Sequence, residues 1–136
     1  MTERKTIQVV AALIYDPSTE KIMICQRPEN KDRGLLWEFP GGKVEKGESK
    51  EQALIRECLE ELSVEIIPKE IYASLVHDYP DIKIELTLFK AVIVSGEPKK
   101  LEHNDIKWVY PWEATKYDFC PADKEILERL KRENIK

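Results

Sequence analysis

The chain has no excess of basic residues: Lys and Arg total 22 against 26 Asp and Glu, a formal net charge of −4 at pH 7. A protein that wraps a nucleic-acid polymer needs a basic footprint, so that class of partner is not expected. An acidic chain that binds polyanionic phosphate needs a mediating cation, which points to Mg²⁺ or Mn²⁺. No apolar run approaches the roughly 20 residues that span a bilayer, and Met1 to Lys5 is polar, so no membrane segment is expected and a cytoplasmic location follows by default. Cysteine is scarce: Cys25, Cys58 and Cys120 form an odd set without metal-type pairing, as expected of free thiols in a reducing compartment. Histidine is scarcer still, and His77 and His103, without metal-ligand spacing, read as ordinary surface residues. Internal repeats, low-complexity tracts and linkers are missing as well. With 42% hydrophobic and 35% charged residues, the 136 positions are expected to form one domain over residues 1–136, with no obligatory protein partner.

The apolar segments Thr6 to Tyr15 and Lys21 to Gln26, separated by Asp16-Pro17-Ser18, read as two strands joined by a turn. Pro28 to Gly34 is polar and predicts a loop leading into Trp37-Glu38-Phe39-Pro40-Gly41-Gly42, where the glycines argue against a regular element. Ser49 followed by Gln52 is a capping-box pattern, and Leu54, Ile55, Cys58, Leu59 and Leu62 recur at helical spacing, which predicts a helix over about residues 50–62. Strands are expected over Ile71 to His77, Ile82 to Ser95 and Ile106 to Tyr110, with a turn at Asp78-Tyr79-Pro80-Asp81. Pro121 at a first helical position opens a closing helix to about Arg132, and Trp108 and Trp112 are assigned to packing. Strands, helix, strands and helix in that order give an α+β chain, an α/β/α sandwich with a mixed sheet.

On the central helix a turn of about 100° per residue puts Glu57, Glu60 and Glu61 on one face, beside and mostly opposite the stripe of Leu54, Cys58 and Leu62. Like charges at this spacing repel each other and are commonly no more than a solvated face. Here they follow two consecutive glycines, which let backbone approach a ligand closely and offer carbonyl oxygens. Hard cations take carboxylate and carbonyl oxygens while bridging substrate phosphates. Glycine loop and acidic helix therefore form a candidate metal-pyrophosphate site.

Gly42, five residues, Glu48, seven residues, then Arg56-Glu57-Cys58-Leu59-Glu60-Glu61-Leu62-Ser63-Val64 resembles the Nudix box, Gly-x5-Glu-x7-Arg-Glu-U-x-Glu-Glu-x-Gly-U, where U is a bulky aliphatic residue. Every charged position matches, while Ser63 stands at the glycine and Cys58 at an aliphatic position. The stretch Gly34-Leu35-Leu36-Trp37-Glu38-Phe39-Pro40-Gly41-Gly42-Lys43 and the closing Pro121-Ala122-Asp123 resemble the MutT-like branch, which removes 8-oxo-dGTP from nucleotide pools, and its relatives that act on CTP.

The resemblance implies the Nudix fold and a hydrolase of nucleoside triphosphates that yields monophosphate and pyrophosphate. It implies that Glu57, Glu60 and Glu61, with the Gly41 carbonyl, hold Mg²⁺, that Glu48 and Arg56 brace the loop-helix unit, and that Glu102 is a loop acid near the metals and a candidate general base. Arg27, Phe39, Gly42 and Asp123 occupy positions that resemble substrate contacts, although Phe39 also reads as core and Glu102 as a solvated acid. Where relatives specialised for 8-oxo-dGTP carry asparagine, this chain has Asp123; an aspartate that only accepts hydrogen bonds predicts a weaker preference for 8-oxo-dGTP and favours cytosine nucleotides as rivals. Nucleoside-diphosphate conjugates as substrates, and a catalytically idle nucleotide-binding module, are the competing expectations.

Overall fold

Residues 5–132 are described by the computed structural model. The strands are β1 (Thr6–Asp16), β2 (Lys21–Gln26), β3 (Trp37–Glu38), β4 (Gly41–Lys43), β5 (Glu65–Asp78), β6 (Lys83–Ser95) and β7 (Asp105–Val109); the helices are α1 (Lys50–Leu62) and α2 (Lys124–Leu130). The sheet runs β3-β2-β1-β6-β5, with β4 on β1 and β7 on β2. Among the described strands β1 and β6 pair in parallel and the other pairs are antiparallel, so the sheet is mixed as expected. Successive side chains of β1 enter different cores. Ala11 and Leu13 pack with Phe39, Phe119 and the α2 residues Ile126 and Leu130, whereas Val10, Ala12 and Ile14 pack with Ala53, Leu54, Cys58 and Leu62 of α1. This two-sided burial is the origin of the α/β/α layering.

β1 changes partner along its length, and the change opens the molecule. Tyr15 and Asp16 pair with β2, while Val9 to Ala11 pair with β4. The sheet divides there, which leaves a crevice beside the middle of β1. α1 starts as its sequence demands: Ser49 Oγ accepts the Gln52 N–H at 3.0 Å and Gln52 Oε1 accepts the Ser49 N–H at 2.8 Å. It ends at Ser63 in a left-handed conformation, φ 60°, with the Ser63 N–H on the Leu59 carbonyl. Serine thus adopts the geometry that the motif reserves for glycine.

Several expectations need correction. Gly41 and Gly42 do form a regular element, because β1 supplies the partner that their sequence does not reveal. β5 begins at Glu65 and runs through Pro68, with register shifts that accommodate the missing donor. The segment Pro121–Asp123 is a 3₁₀ turn before α2, and a further 3₁₀ segment spans Pro111–Lys116. Ile55 and Leu59 match helical spacing but face solvent at 39% and 51% exposure, so the buried stripe of α1 is narrower than the pattern suggests. Trp108 and Trp112 are not packing residues: they are 36% and 58% exposed, with Trp112 stacked on Tyr110 at the surface. All three cysteines are free and buried. No helix among the described residues is long and apolar enough to cross a membrane.

Candidate active site

With β4 held on β1 and α1 following, the Gly41–Gly42 backbone lies against the acidic side of the helix. A Cβ at Gly41 would stand 2.0 Å from the Val10 carbonyl oxygen, and one at Gly42 would stand 2.5 Å from the Glu57 carboxyl carbon. Only glycine fits at Gly41, where the neighbours are backbone, whereas a side chain at Gly42 would displace the Glu57 carboxylate. The Glu57 carboxylate therefore rests on bare backbone, and Glu61 Oε1 accepts the Gly41 N–H at 3.3 Å. Glu61 is partly buried because it borders the apolar stripe of α1 more closely than a simple acidic face would.

Arg56 organises the neighbouring acids. Its Nε and Nη2 form a fork on Glu48 at 2.6 and 2.9 Å, while Nη1 reaches Glu57 at 2.8 Å and Glu60 at 3.3 Å. Nη2 also donates to the Lys43 carbonyl at 3.1 Å, which ties the helix to the glycine strand. The hydrogen bond from Arg56 draws the Glu48 carboxyl down to about 2. Glu48 and Arg56 thus stand where a brace for the loop-helix unit is expected.

Burial, then the charges of Glu38, Glu57 and Glu102, pushes Glu61 up to about 9. Burial also raises Glu57, against the opposing pull of Arg56. Crowded carboxylates on exposed backbone are the donor set that a hard divalent cation takes, and its charge would reverse these shifts. Glu57, Glu60, Glu61 and the Gly41 backbone therefore fit such an ion. Among the described residues no three acid or imidazole groups already converge as ligands. Arg56 holds Glu57 and Glu60 while Glu61 turns to Gly41, so binding would exchange these contacts for metal bonds.

Glu102 is exposed on the loop after β6, yet its charge reaches both Glu57 and Glu61. Backbone bonds from Lys99 to the Leu62 carbonyl at 2.8 Å and from Leu101 to the Glu61 carbonyl at 3.3 Å dock this loop on the end of α1. If Glu102 serves as general base, Glu102→Gln is expected to lower kcat by about 10²–10⁴-fold and alter its pH profile. A silent substitution would identify Glu102 as a solvated loop acid.

Beyond the acids the crevice widens into a cavity of about 420 Å³. Arg27, Phe39, Gly42 and Asp123, the four expected substrate contacts, all line it, together with Gly41. Phe39 is 3% exposed and packs on Phe119 at 5.4 Å, so it is a core ring that also forms a cavity wall. Arg27 is already engaged: Nη1 pairs with Glu38 Oε1 at 3.0 Å and Nε donates to the Asp32 carbonyl at 2.8 Å. It holds the loop and Glu38 in place.

Glu38, which lines the cavity, is not among the expected site residues; alternation is the signal that could have found it. Trp37 and Phe39 both enter the core, which turns the residue between them away from it. His103 also departs from expectation. It is not a surface residue: it is 7% exposed, and Nε2 lies 3.3 Å from Glu38 Oε2. His77 is half-buried, edge-on to Tyr79 at 4.5 Å.

Asp123 is 6% exposed, and burial followed by the charge of Glu38 raises its carboxyl well above the usual aspartate range. That shift favours the protonated acid, which has one donor and one acceptor, over the carboxylate that only accepts. The expectation that it only accepts hydrogen bonds applies to the ionised form, which this burial, invisible in the sequence, disfavours.

Residues 10–129 match the NUDIX domain family. The chain is 41% identical over 124 residues to the CTP pyrophosphohydrolase of Escherichia coli (strain K12), covering 91% of this chain and 90% of that one. It is 34% identical over 131 residues to the 8-oxo-dGTP diphosphatase of Haemophilus influenzae, with 96% of each chain covered. The crystal structure of the MutT protein from Methanosarcina mazei Go1 superposes with a TM-score of 0.84 at 27% identity, over 100% of both chains. The chain belongs to the Nudix family and is a Nudix hydrolase.

Proposed function

We propose that this hydrolase cleaves nucleoside triphosphates to monophosphate and pyrophosphate with Mg²⁺, or Mn²⁺ as substitute, and that 8-oxo-dGTP of the nucleotide pool is its target. The observation that carries the reading is continuity: Gly41 and Gly42 line the cavity and also seat the acids of α1. A nucleotide with its base in the cavity would therefore place its phosphates along the glycine edge, beside Glu57, Glu60 and Glu61. A divalent cation held there would offset the diphosphate charge and activate the attacking water. Arg56 keeps the carboxylates of Glu48, Glu57 and Glu60 oriented, and the Gly41–Gly42 edge lets phosphate approach backbone without steric obstruction. A cavity of about 420 Å³ is of the size that takes a small organic ligand.

At the far end, a protonated Asp123 matches 8-oxoguanine, whose O6 accepts and whose N7–H donates; unmodified guanine offers acceptors at both places. The same acid also matches cytosine through N3 and the exocyclic amine. Cytosine nucleotides are therefore the second reading, favoured by the likeness to a CTP pyrophosphohydrolase. The test is kcat/KM for 8-oxo-dGTP, dGTP and dCTP from pH 6 upward on the wild type and Asp123→Asn. One mispaired buried group costs about 1–3 kcal/mol, so 8-oxo-dGTP should be preferred over dGTP by about 5- to 150-fold. The donor is present below the raised pKa of Asp123 and lost as pH climbs through it, so the preference should fall with rising pH. In Asp123→Asn, which donates without titrating, it should persist. A pH-independent ratio in the wild type would remove Asp123 from base reading, and dCTP as the better substrate would establish the second reading.

A further inference from the structure

Tyr79 lies between β5 and β6, buried to 6% exposure, and its hydroxyl accepts the Ala122 N–H at 3.0 Å. Ala122 sits in the 3₁₀ turn Pro121–Asp123, where early N–H groups have no partner within the turn itself. A ring 43 positions away in sequence thus caps the segment that carries Asp123. The ring is itself held: the Arg33 guanidinium lies 3.6 Å from its centroid, and Arg33 Nη2 pairs with Asp81 Oδ1 at 3.0 Å. Arg33, Tyr79, Asp81, Ala122 and Asp123 all line the cavity. Two loops and the candidate base-reading turn are therefore joined through one aromatic side chain, which has few torsions and so serves as a stiff strut.

We propose that Tyr79 is a positioning residue for nucleotide selectivity: its hydroxyl, with the ring held by Arg33 and Asp81, fixes the Pro121–Asp123 turn and so the angle at which Asp123 meets the base. This inference rests on the reading of Asp123 given above. Removing the hydroxyl leaves a buried N–H without its acceptor, and the turn must shift to find another. The geometry of the acids on α1 is untouched, so the effect belongs to base selection and not to bond cleavage.

The experiment is a double-mutant cycle of Tyr79→Phe and Asp123→Ala, with kcat and KM measured for 8-oxo-dGTP and dGTP. Tyr79→Phe is expected to reduce the 8-oxo-dGTP to dGTP ratio of kcat/KM by about 3- to 10-fold, chiefly through KM for 8-oxo-dGTP, and to leave the ratio unaltered once Asp123→Ala is present. Arg33→Met keeps the hydroxyl but frees the ring, and is expected to shift the ratio in the same direction by about 2- to 5-fold. Equal losses on both nucleotides, or a ratio change that persists without Asp123, would overturn the positioning role and leave Asp123 as base reader. An unchanged ratio in Asp123→Ala alone would refute the reading of Asp123, and this inference with it.

Discussion

Glu57→Gln is expected to lower turnover at saturating Mg²⁺ by at least about 100-fold while the folded population stays unchanged, the loss typical of removing one charge placed at a reacting centre. The substitution is nearly isosteric. The Glu57 carboxyl sits against Gly42 with no room to spare, so a glutamine amide occupies the same space without a cavity or a clash. What it loses is the charge that would hold a cation. Glu60→Gln makes the same test at a side chain 55% exposed, where a structural effect is least expected. The two variants should show parallel loss of activity with Tm close to wild type. Near-normal rates in either at saturating Mg²⁺ would show that its carboxylate is not a ligand.

Arg56→Met is expected to raise the Mg²⁺ concentration for half-maximal activity by about 10- to 100-fold, the range found when a group that orients metal ligands is removed. Methionine keeps much of the stem and its packing but none of the donors. Glu48 then loses both bonds of its fork, and Glu57 and Glu60 lose the shared cationic donor that offsets their mutual repulsion. Freed of Arg56, Glu48 should titrate nearer the ordinary carboxylate range and lose the stabilisation that its low pKa represents above that range. Because the group lies at the surface, only partly buried, that contribution is small, and the main readout is metal affinity. A variant with unchanged Mg²⁺ dependence would reduce Arg56 to a surface ion-pair partner.

The part of this architecture legible in the sequence is the part that local rules control. Ser49 and Gln52 announce the start of α1, and the recurrence of Leu54, Cys58 and Leu62 sets its buried side. The spacing of Gly42, Glu48, Arg56, Glu57, Glu60 and Glu61 encodes the metal-facing unit because strand, loop and helix lie within one continuous stretch of chain. The other end of the site is built from segments far apart in the chain, and no local pattern links Arg33 to Asp81 or Tyr79 to Ala122. The burial that raises the Asp123 carboxyl likewise depends on packing between distant segments, as does the pairing of His103 with Glu38. Sequence patterns therefore could not show the burial of Asp123 or bring Glu38 into the site, although Arg27, Phe39, Gly42 and Asp123 do face the cavity.

Product analysis during a cation titration tests the central claim most directly. Protein stripped with chelator is incubated with 8-oxo-dGTP while Mg²⁺ is added back, and both halves of the cleaved nucleotide are identified. The account predicts no turnover without the cation, then monophosphate and pyrophosphate in equal amounts as Mg²⁺ rises, with Glu57→Gln inactive across the same range. Turnover that survives chelation, or products that are diphosphate and orthophosphate, would contradict it.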